Sequence, residues 1–287
     1  MNQRDNILAQ VLTVPSLPVA AVKVISVLQK PHAELCEIAR VINHDPGLAT
    51  NALRLANSAM YGGQRKIDTI DMAVARLGVR RMLDLVVSSV VKPFAMTPVQ
   101  GYDLPPGMLW LHSVAVACGA EELGKLLKID VPSCAFTCGL LIDVGKNVLS
   151  TYLEVDGQAI RHEAFEQHVS FEQAERHVLG IDHAEVGAAL LKHWGLPDAL
   201  VAAARWHHEP SNCPPEHQAL IDLVHASDQI CTLSGIGTGS DGSNYKPCEA
   251  TMARLKIDVH VIEATMCRIV ERLDALEDIL GQTSERN

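Results

Sequence analysis

Apolar residues recur along most of this chain at the spacing of helix turns, not at the alternation of strands. A short helix is predicted over residues 4–12, and Pro15 and Pro18 in VPSLP break it. Val22, Ile25 and Leu28 then share one face of a second helix over 20–28. Leu35, Ile38, Ala39 and Ile42 do the same in a third, which Pro31 opens. His44-Asp45-Pro46 stops that helix and starts another, with Asp45 as N-cap and Pro46 at the first helical position. Leu48, Leu53 and Leu55 follow, separated by alanines that allow close packing. A turn at Tyr61-Gly62-Gly63 leads to Asp68 or Thr69, either of which can cap a helix through Leu77. Gly78 is expected to end that helix in a left-handed conformation.

Residues 91–107, rich in Pro and Gly, form the best boundary between two halves. They are too few and too apolar for a free linker, so the halves should pack together. In the second half the segment Cys138–Leu149, CGLLIDVGKNVL, reads as a helix in which Leu140, Leu141, Val144 and Val148 surround one carboxylate, Asp143. An ionised Asp among aliphatic side chains is costly unless a cation holds it: a metal, a protonated histidine, or Lys146 one turn on. Histidines and a further Asp flank this segment. His112 lies near the start of an Ala- and Val-rich helix. His183 follows the cap Asp182, His207-His208 precede Glu209-Pro210, and His225 and Asp228 share a helix over 216–233. Ser170 and Gln173 form a capping box for a helix that Gly180 closes, and Gly195-Leu196-Pro197 is a stop followed by a start. Residues 235–247, GIGTGSDGSNYKP, are poor in apolar residues and read as a mobile loop. Their glycines resemble a phosphate loop only weakly, because no strand precedes them and no Gly-Lys-Ser/Thr follows. A last helix, Val259 to Leu280, repeats Ile262, Met266, Ile269, Leu273, Leu276 and Leu280 in steps of four and three. Such a stripe serves either as the face that docks on its own domain or as a homodimer seam; docking is the reading adopted.

Composition adds three constraints. Hydrophobic residues make up 48% of the 287 but aromatics only 4%, so the core rests on Leu, Val, Ile, Ala and Met, which leans to an all-α fold. The net charge of -10 gives no electrostatic reason to expect nucleic acid or an anionic membrane as main partner. Arg76, Arg80 and Arg81 make the best local basic patch and are read as a solvated helix face. No apolar run is long enough to span a bilayer, and the polar opening MNQRDN is not a signal peptide. Eight cysteines without a C-x-x-C pair fit reduced thiols in a cytoplasmic protein, with Cys134 and Cys138 as small hydrophobes. Asn57 and Ser58 are expected to bond local backbone. His162, His168, His193 and His217 are expected at the surface or in structural roles.

Three blocks carry a family resemblance: VPSLPVAAVKVISVL, INHDPGLATNALRLANSAMYG and IDTIDMAVARLGVRRMLDLV. In this order they resemble the signature of the bacterial HDOD family, an output-domain branch of the HD superfamily, and with the later histidine segments they cover residues 14–230. The resemblance implies an all-helical fold with an N-terminal bundle (1–100) joined to an HD-like helical half (101–287), and a place in signal transduction.

It also implies a site. His112 matches the first histidine of the HD set, Asp143 the Asp of the defining His-Asp pair, His183 the next helix's histidine and Asp228 the closing Asp. His207-His208-Glu209 resembles the HHE of the HD-GYP branch, although the GYP sequence is absent. Lys146 matches a residue that can pair with phosphate there. The implied metal set is His112, Asp143, His183, His208 and Asp228, with Lys146 and His207 toward a phosphate-bearing ligand. Asp143 and Lys146 are the residues for turnover if the site is active. Imidazole and carboxylate suit a divalent ion such as Fe, Mn, Zn, Mg or Ni, which lowers the pKa of a bound water. The departure from the pattern is Ile142, which stands where the pair's histidine belongs and has no lone pair to offer. Three states stay open: a relic held by hydrogen bonds, a site that binds a metal or anion without turnover, and an active phosphohydrolase. The expectation is an output or scaffold protein that needs no cofactor. It would act by binding a signalling protein, with the N-terminal bundle as docking surface, or a small phosphorylated or nucleotide-like ligand. The second reading is a metal-dependent phosphohydrolase or cyclic-nucleotide phosphodiesterase.

Overall fold

The computed structural model describes residues 2–28, 35–58, 61–63, 66–242 and 245–280. They are helical with no strand among them; the one β-bridge joins Val99 to Leu104. Helix α1 (Gln3–Val11) is capped by Asn2, whose side chain accepts from Asp5 N–H. Helices α2 (Val19–Leu28) and α3 (Leu35–Asn43) follow; α3 buries Ile38, Ala39 and Ile42 as its spacing predicts, but Leu35 of that stripe and Val22 of the α2 stripe are exposed. The expected opening at Pro31 lies outside the described residues, as do the side chains of Leu28 and Leu280. Helix α4 (Pro46–Ala56) begins as expected, the Asp45 carboxylate accepting from the N–H groups of Gly47 and Leu48 at 2.9 and 3.0 Å. At its end Asn57 bonds Leu53 O and both backbone groups of Ile67, so its polarity serves the local backbone.

Helix α5 (Ile70–Ala95) changes direction at Gly78, whose φ of 74° makes it a stop followed by a second helical stretch. That stretch runs through Pro93, so the expected boundary segment starts helical. Val91 and Ala95 are buried there, and their burial outweighs the hydrogen bond a proline cannot donate. The three arginines of α5 are not a solvated face. Each is half-buried, Arg76 donating to Ala56 O and Arg81 to Asp84.

The remaining helices are α6 (Met108–Leu127), α7 (Ala135–Leu141), α8 (Val144–Glu166), α9 (Phe171–Leu179), α10 (His183–His193), α11 (Asp198–Trp206), α12 (Gln218–Leu233), α13 (Glu249–Leu255) and α14 (Val259–Leu280). The predicted punctuation between them is present: the Ser170–Gln173 capping box, Asp182 accepting from Glu185 N–H, and left-handed Gly180 and Gly195. One prediction is corrected. Cys138–Leu149 is two helices, with a turn at Ile142-Asp143 closed by Lys146 N–H on Asp143 O at 3.0 Å. Aliphatic spacing across the turn remains helical, which hides the break from the sequence, and the break leaves Asp143 as the residue preceding α8.

Two compact units result, one of residues 1–16 and 92–269, the other of 17–91 and 270–287. The second is built from α2 to α4 and most of α5 around Ile38, Ile42, Ala52, Val74 and Met82, all fully buried. The first packs α6 against α7 and α12, and α10 against α8 and α11. In α14, Ile269 is fully buried beside Gly119 and Leu276 is buried too, so the apolar stripe faces its own chain. No described helix is long and apolar enough to cross a membrane.

Two helix crossings in the first unit depend on glycine. A Cβ on Gly139 of α7 would lie 2.5 Å from Ala117 Cα, and one on Gly145 of α8 would lie 2.0 Å from His183 O and 2.5 Å from Gly187 N. Backbone cannot yield as a side chain can, so the first turn of α8 must rest directly on α10. Gly145→Ala is therefore expected to destabilise by about 2 kcal/mol or more. Gly157→Ala in the same helix meets the tip of Arg161 at 3.4 Å and Gly101 O at 3.7 Å, both ordinary contacts, and should stabilise by up to about 1 kcal/mol. Urea denaturation of the two variants tests the contrast, and equal effects would show that the crossing is not close.

Candidate metal centre

Asp143 is 2% exposed, and its two carboxylate oxygens face different partners. Oδ2 lies 3.0 Å from Lys146 Nζ and 3.7 Å from His112 Nε2. Oδ1 lies 3.5 Å from His183 Nε2 and 3.7 Å from His207 Nε2, too far for a hydrogen bond with either. Burial alone would raise this carboxyl. Lys146, then His183, His112 and His207, outweigh it and hold Asp143 well below the usual carboxylate range.

The histidines are oriented by what their other ring nitrogens bind. His183 bonds Glu175 Oε2 through Nδ1 (2.8 Å) and, through Nε2, meets His208 Nε2 at 2.8 Å. Burial pushes His183 down, but the Glu175 charge and hydrogen bond overrule it and raise the group to about 9. A protonated His183 thus donates to Glu175 on one side and to a neutral His208 on the other. Burial, then His207 and His183, push His208 far below its ordinary value. His207 donates Nδ1–H to Ala204 O at 2.8 Å, and burial lowers it to about 4. Its Nε2 must therefore present a lone pair, and that lone pair looks at Asp143 Oδ1. Both atoms are buried with no hydrogen-bond partner. Two acceptors facing one another at 3.7 Å call for something electropositive between them.

His112 and Asp228 form a separate pair. His112 donates from Nε2 to Asp228 Oδ1 (2.9 Å) and from Nδ1 to Ile236 O (2.8 Å), so both nitrogens carry protons. Burial opposes that charge, and the Asp228 bond restores and raises it. The implied metal set is thus split. Asp143, His183, His207 and His208 each bring one ligand atom within 4.8 Å of the others. His112 and Asp228 neutralise one another beside Oδ2.

The residues fit a metal on two counts. Oδ1 and His207 Nε2 are orphaned toward a common point, and Glu175 fixes His183 as outer carboxylates fix ligand histidines. Three imidazoles and one carboxylate suit Fe, Mn, Zn or Ni better than Mg, which prefers oxygen. Ile142, where the family resemblance implies a histidine, is fully buried.

Some participants escaped the sequence reading. Glu175 is fully buried and also accepts from Tyr102 OH. The available signal was a carboxylate on the apolar face of α9, between Ala174 and Leu179. The expected mobile loop is the larger correction. Within it Asp241 is 2% exposed, accepts from Lys146 Nζ (2.8 Å) and Tyr245 OH (2.9 Å), and lines the space over Asp143. Tyr245 stacks on His208, ring centroids 4.5 Å apart. Burial works against the Lys146 charge, but Asp143 and Asp241 raise the group above its ordinary value. The cavity left is ≈ 10 Å³, room for about one water or ion. His225 is a buried strut, bonded to His207 O (2.6 Å) and Cys248 N (2.9 Å). His162, His168 and His193 are exposed and stand apart from the site, as expected.

Two outcomes follow. Lys146→Met strands Asp143 and Asp241 as buried carboxylates and is expected to cost about 3–5 kcal/mol in urea denaturation. Chelator-treated protein titrated with zinc or manganese is expected to take up one equivalent, since Lys146 and His112 already satisfy Oδ2. Uptake must displace the His183 proton, so affinity should rise about tenfold per pH unit as pH climbs toward about 9. Two equivalents, or a pH-independent affinity, would contradict this arrangement.

The model of the HDOD domain matches residues 14–210. A Treponema pallidum protein named only as uncharacterized is 29% identical over 213 residues, which are 74% of this chain and 40% of that relative. The chain thus spans less than half of that relative's length. Among solved structures, a Marinobacter aquaeolei protein described as a candidate for signal transduction aligns at a TM-score of 0.73 and 23% identity, over 99% of this chain and 65% of its own. A Shewanella amazonensis protein described as a candidate phosphohydrolase aligns at 0.67 and 26%, over 94% and 97%. With the family model matched over most of its length and an all-helical fold, this chain belongs to the HDOD domain family.

Proposed function

We propose that this chain is a cytoplasmic bacterial signal-transduction output or scaffold protein whose HD-type site works by binding, without turnover. One observation carries the reading. Asp241 and Tyr245 line the space over Asp143 and leave only ≈ 10 Å³ of it open, too little to admit a phosphoester to the carboxylate as the site stands. Ile142 supports it, because a buried alkyl group replaces the nitrogen that would complete the ligand set. A small phosphorylated or nucleotide-like ligand is the class that suits Lys146 beside neutral imidazoles. A signalling protein docked on the N-terminal bundle is the partner class in keeping with the family and with the Marinobacter neighbour's description.

A metal-dependent phosphohydrolase is the second reading, and the cluster of Asp143, His183, His207 and His208 favours it. A metal held by those residues would supply an activated water and a Lewis acid. This chain's part would be to orient the imidazoles through Glu175 and Ala204 O and to offer Lys146 to the phosphate. Elemental analysis of the purified protein and hydrolysis assays with p-nitrophenyl phosphate and cyclic nucleotides, with manganese or iron added, separate the two. The expected result is no turnover above the Asp143→Ala variant. Hydrolysis that Asp143→Ala abolishes would establish the enzyme instead.

A further inference from the structure

The glycine-rich stretch after α12 is built to press into the site. A Cβ on Gly237 would meet Met108 O at 2.6 Å, and one on Gly239 would meet Tyr102 O at 2.0 Å. Only glycine permits those approaches, and they carry Asp241 down to Lys146. Ser240 N–H secures the stretch on Tyr102 O at 2.9 Å.

Asp241 is not needed to neutralise Lys146, which already pairs with Asp143 at 3.0 Å. A second carboxylate has been buried against one ammonium, and that is unfavourable unless the place it fills is itself a receptor for an oxyanion. The donors there are Lys146 Nζ and Tyr245 OH, both on Oδ2 of Asp241. They converge on one oxygen as donors converge on a phosphate oxygen. The Lys146 ammonium also lies over the rings of Tyr102 and Tyr245, 5.5 and 5.3 Å from their centroids, which holds it in this position.

We infer that Asp241 is a built-in competitor: its carboxylate occupies an oxyanion position on Lys146 that a phosphate-bearing ligand takes by displacing it. The inference rests on the ligand-binding reading above and adds how that binding is regulated. Displacement would be felt elsewhere, because the stretch is anchored at both ends to histidines of the site region. Ile236 O accepts from His112 before it, and Cys248 N–H donates to His225 after it. Ligand entry would therefore pull on α6 and α12 together, which is what a sensor needs.

Inorganic phosphate, titrated calorimetrically into the full chain, is the probe. Asp241→Asn keeps the shape and removes the charge, and it should bind phosphate at least tenfold more tightly than the unaltered protein. Adding Lys146→Met to it should abolish the gain. Asp241→Ala removes the competing carboxylate altogether and leaves both donors in place, so a comparable gain is expected there; it decides the matter if Asp241→Asn does not fold. Equal affinity in the unaltered protein and both variants overturns the competitor while leaving phosphate binding intact. No binding in any of them overturns the competitor and the phosphate-ligand reading alike. Hydrolysis in the separate assay bears only on turnover.

Discussion

A single buried carboxylate organises this molecule. Asp143 keeps its charge in an aliphatic surround only because cations and polarised imidazoles reach it from several helices at once. Its two oxygens divide the work. Oδ2 is satisfied by Lys146 on the next turn of α8 and lies near the charged His112 of α6. Oδ1 is left facing the lone pair of His207. The helix break at Ile142-Asp143, the glycine contact of α8 with α10 and the burial of Glu175 all serve that arrangement, because each brings a partner to one side of the carboxylate.

The imidazoles are not interchangeable within it. Each has its tautomer set by a partner away from Asp143: Glu175 for His183, Ala204 O for His207, Ile236 O and Asp228 for His112. Anionic partners therefore keep two histidines charged, and burial with only a carbonyl partner keeps His207 neutral. The same residue type thus plays opposite electrostatic roles a few ångströms apart. A cation on the Oδ1 side meets lone pairs, whereas the Oδ2 side is already neutralised. A buried alkyl group at Ile142 is compatible with this division, because the nitrogens of the cluster come from α10 and from the two residues after α11.

The segment after α12 shows how composition can mislead. Residues 235–247 are poor in apolar side chains and rich in glycine, features that ordinarily mark a solvated loop. Here the glycines at 237 and 239 allow backbone to approach backbone, and two of the polar residues are taken up by the site: Asp241 by Lys146 and Tyr245, Tyr245 by His208. Polarity in a sequence says that a residue needs partners, and it does not say whether those partners are water.

Much of this was open to a reader of the chain alone. Helix identity and most helix ends follow from local rules, since Asp45, Ser170, Asp182, Gly78, Gly180 and Gly195 act on the backbone a few residues away. That Asp143 needs a cation also follows, because its aliphatic neighbours are adjacent in sequence. Which cation meets which oxygen does not, for His112, His183, His207 and Asp228 come from helices far apart in the chain. The pairing of His112 with Asp228, the orphaned atoms on the Oδ1 side, the outer Glu175 and the inward Asp241 were decided by packing alone. Distances between those groups are set by how helices cross, and a crossing depends on side chains from both partners at once.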